Sequence, residues 1–173
     1  MQVMTSRSSR KAVESGFDIH AAPGHLIRRA QQIAVALFAE QTAGFDVTPV
    51  QYALLAELAK SGTLDQVTLA AHIAVDVATL GQVAQRLEER GLVAREADTE
   101  DRRRKQLALT PDGHRLLRKI TPGVVLTQEK FLAPLSAAEQ AVFCDLLGRL
   151  VLQNNEQSRA PMRRDRDNLQ KRQ

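Results

Sequence analysis

Asp98-Thr-Glu-Asp-Arg-Arg-Arg-Lys-Gln-Leu-Ala-Leu-Thr110 is the stretch that decides the fold. Three carboxylates (Asp98, Glu100, Asp101) precede four adjacent cations, Arg102, Arg103, Arg104 and Lys105. Gln106 to Leu109 then alternates polar and apolar side chains at the period of a strand. Upstream, Leu92-Val-Ala-Arg-Glu96 reads as the partner strand, so the charged run is the tip of a hairpin. A helix closed by Arg90-Gly91 lies immediately before it. Helix, strand, basic tip and returning strand make a winged helix, and a basic tip at that place is built to meet phosphate.

Working outward, the start of each neighbouring helix is marked by its cap. Asp76 caps the helix before the hairpin, whose apolar stripe is Leu80, Val83, Ala84 and Leu87. Asp65 caps a short helix through Leu69 to Ile73. Thr48-Pro-Val-Gln51 forms a capping box with proline in the first turn, opening a helix that runs to about Lys60 and stops at Ser61-Gly62. Beyond these lie longer helices. One runs from about His25 to Gln41, with Leu26, Ile27, Ala30, Ile33, Ala34, Leu37 and Phe38 at helical spacing. A second starts at Thr110-Pro111 and extends to about Phe131. The last opens at the capping box Ser136-Ala-Ala-Glu139 and carries Val142, Phe143, Leu146, Leu147, Leu150 and Val151. The fold class is mainly α with a small β-hairpin wing. Its parts are a flexible basic arm (1–20), a helical region from both chain ends (21–47 and 111–157), a winged helix-turn-helix domain (48–110) and a basic tail (158–173).

Composition agrees with a helical core. Of 173 residues 43% are hydrophobic but only 3% aromatic, with no Trp, so Leu, Val, Ala and Ile must fill the interior. The chain carries 24 basic and 20 acidic residues, a net charge of +4. The tail 158–173 holds six basic and two acidic residues, 6 − 2 = +4, so the rest is formally neutral. Overall basicity is therefore no argument for nucleic acid, whereas the placed cluster at 102–105 is one. A single cysteine, Cys144, rules out an intrachain disulfide framework. Apolar runs too short for a bilayer and an N-terminus without an apolar signal region lead us to expect a cytoplasmic protein with no membrane contact. No nucleophile elbow, glycine-rich phosphate loop or paired metal-ligand motif appears, so neither an enzyme nor a cofactor is expected. His20 and His25 share no i,i+4 face and have no Cys or acidic pair to complete a metal site.

With Leu80, Val83 and Leu87 facing inward, the helix opening at Asp76 turns Val77, Ala78, Thr79, Gln82, Gln85 and Arg86 outward. The N-terminal end of such a recognition helix enters the major groove of double-stranded DNA. There Gln82 can pair with adenine, and Val77, Ala78 and the Thr79 methyl can touch thymine methyls. Gly81 allows a close backbone approach. The long flanking helices carry more apolar surface than one small winged helix can cover, and a two-fold dimer built from both chain ends would bury it.

Thr48-Pro-x-Gln51-Tyr52-x-Leu54-Leu55, Leu69-Ala70, Arg86-Leu87-Glu88-x-Arg90-Gly91-Leu92-Val93, Asp98-x-x-Asp101-Arg102-Arg103 and Leu109-Thr110-x-x-Gly113 together resemble the MarR family of bacterial transcriptional regulators. The ordered set spans about Gly24 to Val151. The resemblance implies a homodimer with a winged helix-turn-helix on each subunit, which binds a near-palindromic operator and represses. It implies that Arg103 enters the minor groove while Asp101 fixes its guanidinium. Arg102, Arg104 and Lys105 would then hold phosphates. The opening Gly24-His-Leu-Ile-Arg-Arg and the run Asp76-x-x-Thr79-Leu-Gly81 are similar to a subgroup tied to nicotinate and aromatic-acid catabolism. That resemblance implies an aromatic or pyridine carboxylate such as 6-hydroxynicotinate as effector.

Effector pockets in this family often lie between the dimer region and the DNA-binding region, where the chain has His20, His25, Arg28, Arg29 and Tyr52. A carboxylate needs a cation, a hydrogen-bond partner and apolar walls. Arg28 or Arg29 supplies the first, His25 or Tyr52 the second, and Ile27, Val50 and Leu55 the walls. The alternative is that Arg28 and Arg29 form the solvated face of the first helix and Tyr52 belongs to the core. Two other readings of the chain stand beside this one. In the first, a redox-sensing repressor acts through Cys144, although its place near an apolar stripe favours a buried thiol. In the second, a winged helix docks protein partners and has no effector.

Overall fold

The computed structural model describes residues 16–97 and 105–163. Six α-helices and three short strands follow in the order α1 (Pro23–Gln41), α2 (Pro49–Ser61), β1 (Leu64–Asp65), α3 (Gln66–His72), α4 (Val77–Glu89), β2 (Val93–Ala97), β3 (Lys105–Leu109), α5 (Pro111–Leu132) and α6 (Ala137–Gln153). Both capping boxes form. Thr48 and Gln51 exchange side-chain and backbone bonds at the start of α2, and Ser136 and Glu139 do so at the start of α6. Asp65, Asp76 and Thr110 cap α3, α4 and α5 as the sequence predicts.

The core of the winged lobe comes from the inward stripes of α2, α3 and α4. Leu54, Leu55, Leu69, Leu80, Ala84 and Leu87 are fully buried, and Val93 and Leu107 of the wing close the cluster from below. Sequence periodicity missed β1. Leu64 and Asp65 pair antiparallel with Leu107 and Gln106, so the wing is a three-stranded sheet of order β1-β3-β2 rather than a hairpin alone. Two residues are too few to show a period. Because β3 is the central strand, Leu107 and the adjacent Ala108 are both buried.

The motif residues after α4 bind the lobe to the long helices. Arg90 donates to the backbone carbonyls of Asp46 and Phe45, tying the end of α4 to the loop before α2. Arg95 of β2 reaches back to Glu88 at 3.0 Å. The Thr110 hydroxyl donates to the Gly91 carbonyl at 2.7 Å and accepts from the Gly113 N–H. Gly113 sits so close to the Leu92 carbonyl that any side chain would collide with it. Helix α5 buries Gly113, Ile120 and Thr127, one residue every two turns, along the side that meets the lobe and α1. Farther along α5, Gly123 lets the C-terminal end of α1 approach at the Gln41 carbonyl. Lys130 pairs with Glu40 beside that contact.

One expectation changes. Helix α6 buries none of its residues against its own chain, so Cys144 is exposed in a single chain, not buried. A 3-10 turn at Asn155–Gln157 reverses the chain, and residues through Arg163 lie back on the body. Asn155 holds that return with its side chain, a role that helical periodicity does not reveal. Residues 164–173 of the expected tail and 1–15 of the expected arm lie outside the described residues. Among the described residues no single helix is long and apolar enough to cross a membrane.

Candidate nucleic-acid interface

Helices α3 and α4 bend by 107° across a tight turn, the angle of a helix-turn-helix. The turn is made by Ala74 in the left-handed region (φ 55°), with the Val75 N–H donating to the Ala70 carbonyl at 3.0 Å. Gln66 at the start of α3 donates to the Val77 carbonyl at the start of α4. A Cβ on Gly81 would lie 2.9 Å from that Gln66 amide nitrogen. A side chain at position 81 would need only the flexible end of Gln66 to shift, so the contact between the two helices does not by itself demand glycine. From the other side, His72 of α3 meets Glu57 of α2 at 2.9 Å, and the Ser61 hydroxyl also donates to Glu57. Burial alone pushes the Glu57 carboxyl up. The hydrogen bonds from His72 and Ser61 and the positive charge of Lys60 outweigh it, leaving Glu57 below its ordinary value.

The first turns of α4 are exposed. Val77, Ala78, Thr79, Gln82 and Arg86 all face solvent, as does Gln85. Their side chains are not equally available. Thr79 donates its hydroxyl to Asp76 at 2.7 Å, and Asp76 also caps the Thr79 N–H at 2.9 Å. These two bonds hold the Asp76 carboxyl below its usual range, with a smaller contribution from the charge of Arg159. Thr79 therefore offers outward its methyl rather than its hydroxyl. Gln85 is tied to Glu89 at 3.0 Å. Gln82 and Arg86 have no side-chain partner among the described residues, and their spacing from Thr79 puts all three on one helical face. Lys105 opens β3 and lines a cleft with Asp65, Gln66 and Val67 at the start of α3. The other wing residues expected to meet DNA, Arg102, Arg103 and Arg104, lie with Asp101 outside the described residues.

The residues expected at an effector site fall into two places. His20 and His25 meet edge to face, with ring centroids 5.5 Å apart. Arg28 and Arg29 follow on the exposed first turns of α1, Arg28 donating to Gln32 at 3.0 Å. Tyr52 lies at the other end of α1, its ring 6.3 Å from that of Phe38 and its hydroxyl 3.4 Å from the Thr121 hydroxyl. His25 and Phe38 are about 20 Å apart at the ordinary helical rise. Leu55 is sealed in the lobe core and cannot line a pocket at either place. Ile27 does line one, an apolar groove of about 320 Å³ shared with Leu26, Ala30, Phe131, Phe143 and Leu147. Sequence reasoning missed this groove, since it needs the relative placement of α1, α5 and α6. Among the described residues no group of His, Cys, Asp and Glu could hold a metal ion.

Residues 47–105, the winged lobe from the loop before α2 to the start of β3, match the family model described as the MarR family. The chain is 31% identical over 151 residues to the HTH-type transcriptional repressor NicR of Pseudomonas putida, covering 87% of this chain and 96% of NicR. The chain belongs to the MarR family. Among solved structures it resembles the PcaV regulator of Streptomyces coelicolor in complex with its natural ligand. The two are 39% identical with a TM-score of 0.72, over 78% of this chain and 94% of PcaV. It also resembles BpsR of Bordetella bronchiseptica, whose DNA binding is regulated by 6-hydroxynicotinic acid. Here the identity is 33% and the TM-score 0.69, over 73% of this chain and 96% of that one. This MarR-family chain is a DNA-binding transcriptional regulator and not an enzyme.

Proposed function

We propose that the protein is a homodimeric repressor of a catabolic operon, released from a near-palindromic operator by an aromatic or pyridine carboxylate such as 6-hydroxynicotinate. The observation that carries this reading is the exposed apolar face of α6. Val142 is 58% exposed and Leu146 53%, and α6 lies beside the equally uncovered Leu26 and Ile27 of α1. A second copy of the chain covers such a face, and two-fold symmetry then places two recognition helices for two half-sites. In each half-site Thr79 and Gln82 read base edges, Val77 and Ala78 add apolar contacts and Arg86 stands behind them. Arg103, oriented by Asp101, enters the minor groove, while Arg102, Arg104 and Lys105 hold phosphates.

The effector reading is supported by the likeness to PcaV and BpsR and by the chemistry at the start of α1. There His20, His25, Arg28 and Arg29 lie just before and on the first turns of α1, the helix that also carries Leu26 and Ile27 of the apolar groove, and they offer a carboxylate its cation and its hydrogen-bond partner. Tyr52 belongs to the junction of α1, α2 and α5, where it senses how the helical region sits on the lobe rather than touching a ligand bound beside His25.

The test uses an operator selected from a random duplex library. Arg103→Ala is expected to weaken its binding by about 1–3 kcal/mol, roughly 5- to 150-fold, and to leave the dimer intact. Adding 6-hydroxynicotinate to the parent complex is expected to release the DNA, and Arg28→Ala with Arg29→Ala to abolish the release. Unchanged affinity in the Arg103 variant overturns the wing assignment. No release by any of a panel of aromatic and pyridine carboxylates overturns the effector class.

A further inference from the structure

The chain does not leave the body at the end of α6. After the turn Asn155–Gln157, the Asn155 side chain clamps Met162 from both sides. Its oxygen accepts from the Met162 N–H at 2.8 Å, and its nitrogen donates to the Met162 carbonyl at 3.1 Å. The Arg163 N–H then donates to the Ala71 carbonyl at 2.9 Å, in the last turn of α3. Ala160 and Met162 close a groove of about 350 Å³ against Ala74, Leu150 and Val151. Residues 155–163 thus form a strap from the last helix to the turn of the helix-turn-helix.

The strap delivers two cations to that turn, and they differ. Arg163 is engaged with Glu156 at 2.9 Å. Arg159 is exposed and has no hydrogen-bond partner among the described residues, and its charge is felt at Asp76, the cap of α4. An attraction between two exposed groups is weak and screened, so it does not hold Arg159 back from a stronger partner. The N-terminal end of a recognition helix is the part that enters the major groove, and phosphates flank that entry on both sides.

We propose that the strap 155–163 is an additional DNA-contacting element, in which Arg159 binds a backbone phosphate beside the first turn of α4. The inference rests on the chain's being a DNA-binding regulator. Such a contact strengthens binding to every sequence alike and adds no base preference. It also links the helical region to the DNA surface through the backbone bond at Ala71.

The experiment titrates the full chain onto a duplex of random sequence, by fluorescence anisotropy, between about 50 and 200 mM salt. Arg159→Gln is expected to make the plot of log Kobs against log[salt] shallower by about 0.9, the share of one phosphate. Arg159→Lys is expected to keep the parent slope, since a phosphate contact needs charge more than shape. Thermal unfolding of both variants is expected to match the parent, because Arg159 is exposed. A parent slope retained by Arg159→Gln overturns the proposal. So does a loss in Arg159→Lys as large as in Arg159→Gln, which would point to packing of the strap instead. A parent chain that binds no duplex overturns DNA binding itself, and this inference with it.

Discussion

In the winged lobe the inward stripe of α4 (Leu80, Ala84, Leu87) is taken up completely by α2, α3 and the wing, whereas α6, with an apolar stripe at least as long, buries no residue at all. Both helices are capped by textures of the same kind, an acidic or hydroxyl side chain at the N-cap, and both are marked by the same periodicity. The difference lies in what the chain places opposite them. The lobe closes on itself within about sixty residues, while α1 and α6 present a surface with nothing from the same chain to cover it. A helix is thus a local decision, but its burial is not.

The comparison is broken most directly by cutting into each region. Leu55→Ala removes a fully buried side chain from the lobe, and the expected loss is about 2–5 kcal/mol in urea unfolding, because the packed surroundings relax only partly. Val142→Glu with Leu146→Glu makes an equally severe change in chemistry on the face of α6. There the lobe is expected to stay folded, while sedimentation velocity is expected to show the proposed dimer replaced by monomers. Affinity for a two-half-site operator is expected to fall by about 10²–10⁴, the benefit of joining two binding units. If those charges leave the dimer and operator binding unchanged, the uncovered face has another purpose.

The same contrast sets what could be read from the sequence. Every cap and stripe of the lobe was legible, because Thr48, Asp65, Asp76 and Thr110 act on backbone within three residues of themselves. The outward set Val77, Ala78, Thr79, Gln82 and Arg86 followed from the stripe by subtraction. What was not legible depends on residues distant in the chain. β1 exists only through its pairing with β3, and the bond from Gln66 to the Val77 carbonyl forms only across the turn. The length of α1 separates Tyr52, packed on Phe38, from His25 at the other end. The strap leaves no periodic trace in the sequence, because its anchor, Asn155, works through single hydrogen bonds.

A subtler probe concerns the contact between α2 and α3. Glu57 has a folded-state pKa below its ordinary value, so its contribution to stability is present above the unfolded-state value of about 4.3 and is lost as pH falls through the lower, folded-state value. Unfolding midpoints in urea between about pH 5 and 3 are expected to fall more steeply for the parent than for Glu57→Gln. Identical profiles would mean that the His72–Glu57 bond contributes nothing through the carboxylate's charge. The pair fixes α3 on α2, and α3 in turn carries α4, so operator affinity is expected to follow the same direction.

The smallest expected effect sits where the lobe meets the strap. Ala74 holds a left-handed backbone, φ 55°, at a position where helix ends ordinarily use glycine. An L residue there carries about 1–2 kcal/mol of strain, and Ala74→Gly removes it. Against this stands the greater freedom of glycine in the unfolded chain, about 0.4–1 kcal/mol. The methyl of Ala74 also lines the groove that Met162 closes, so its removal takes away a contact with the strap. The net expectation is a gain of roughly 0.5 kcal/mol in urea unfolding. A loss instead would show that the strap's grip on this turn outweighs the backbone strain. The end of the chain would then belong energetically to the winged lobe, although its sequence places it after the helical region.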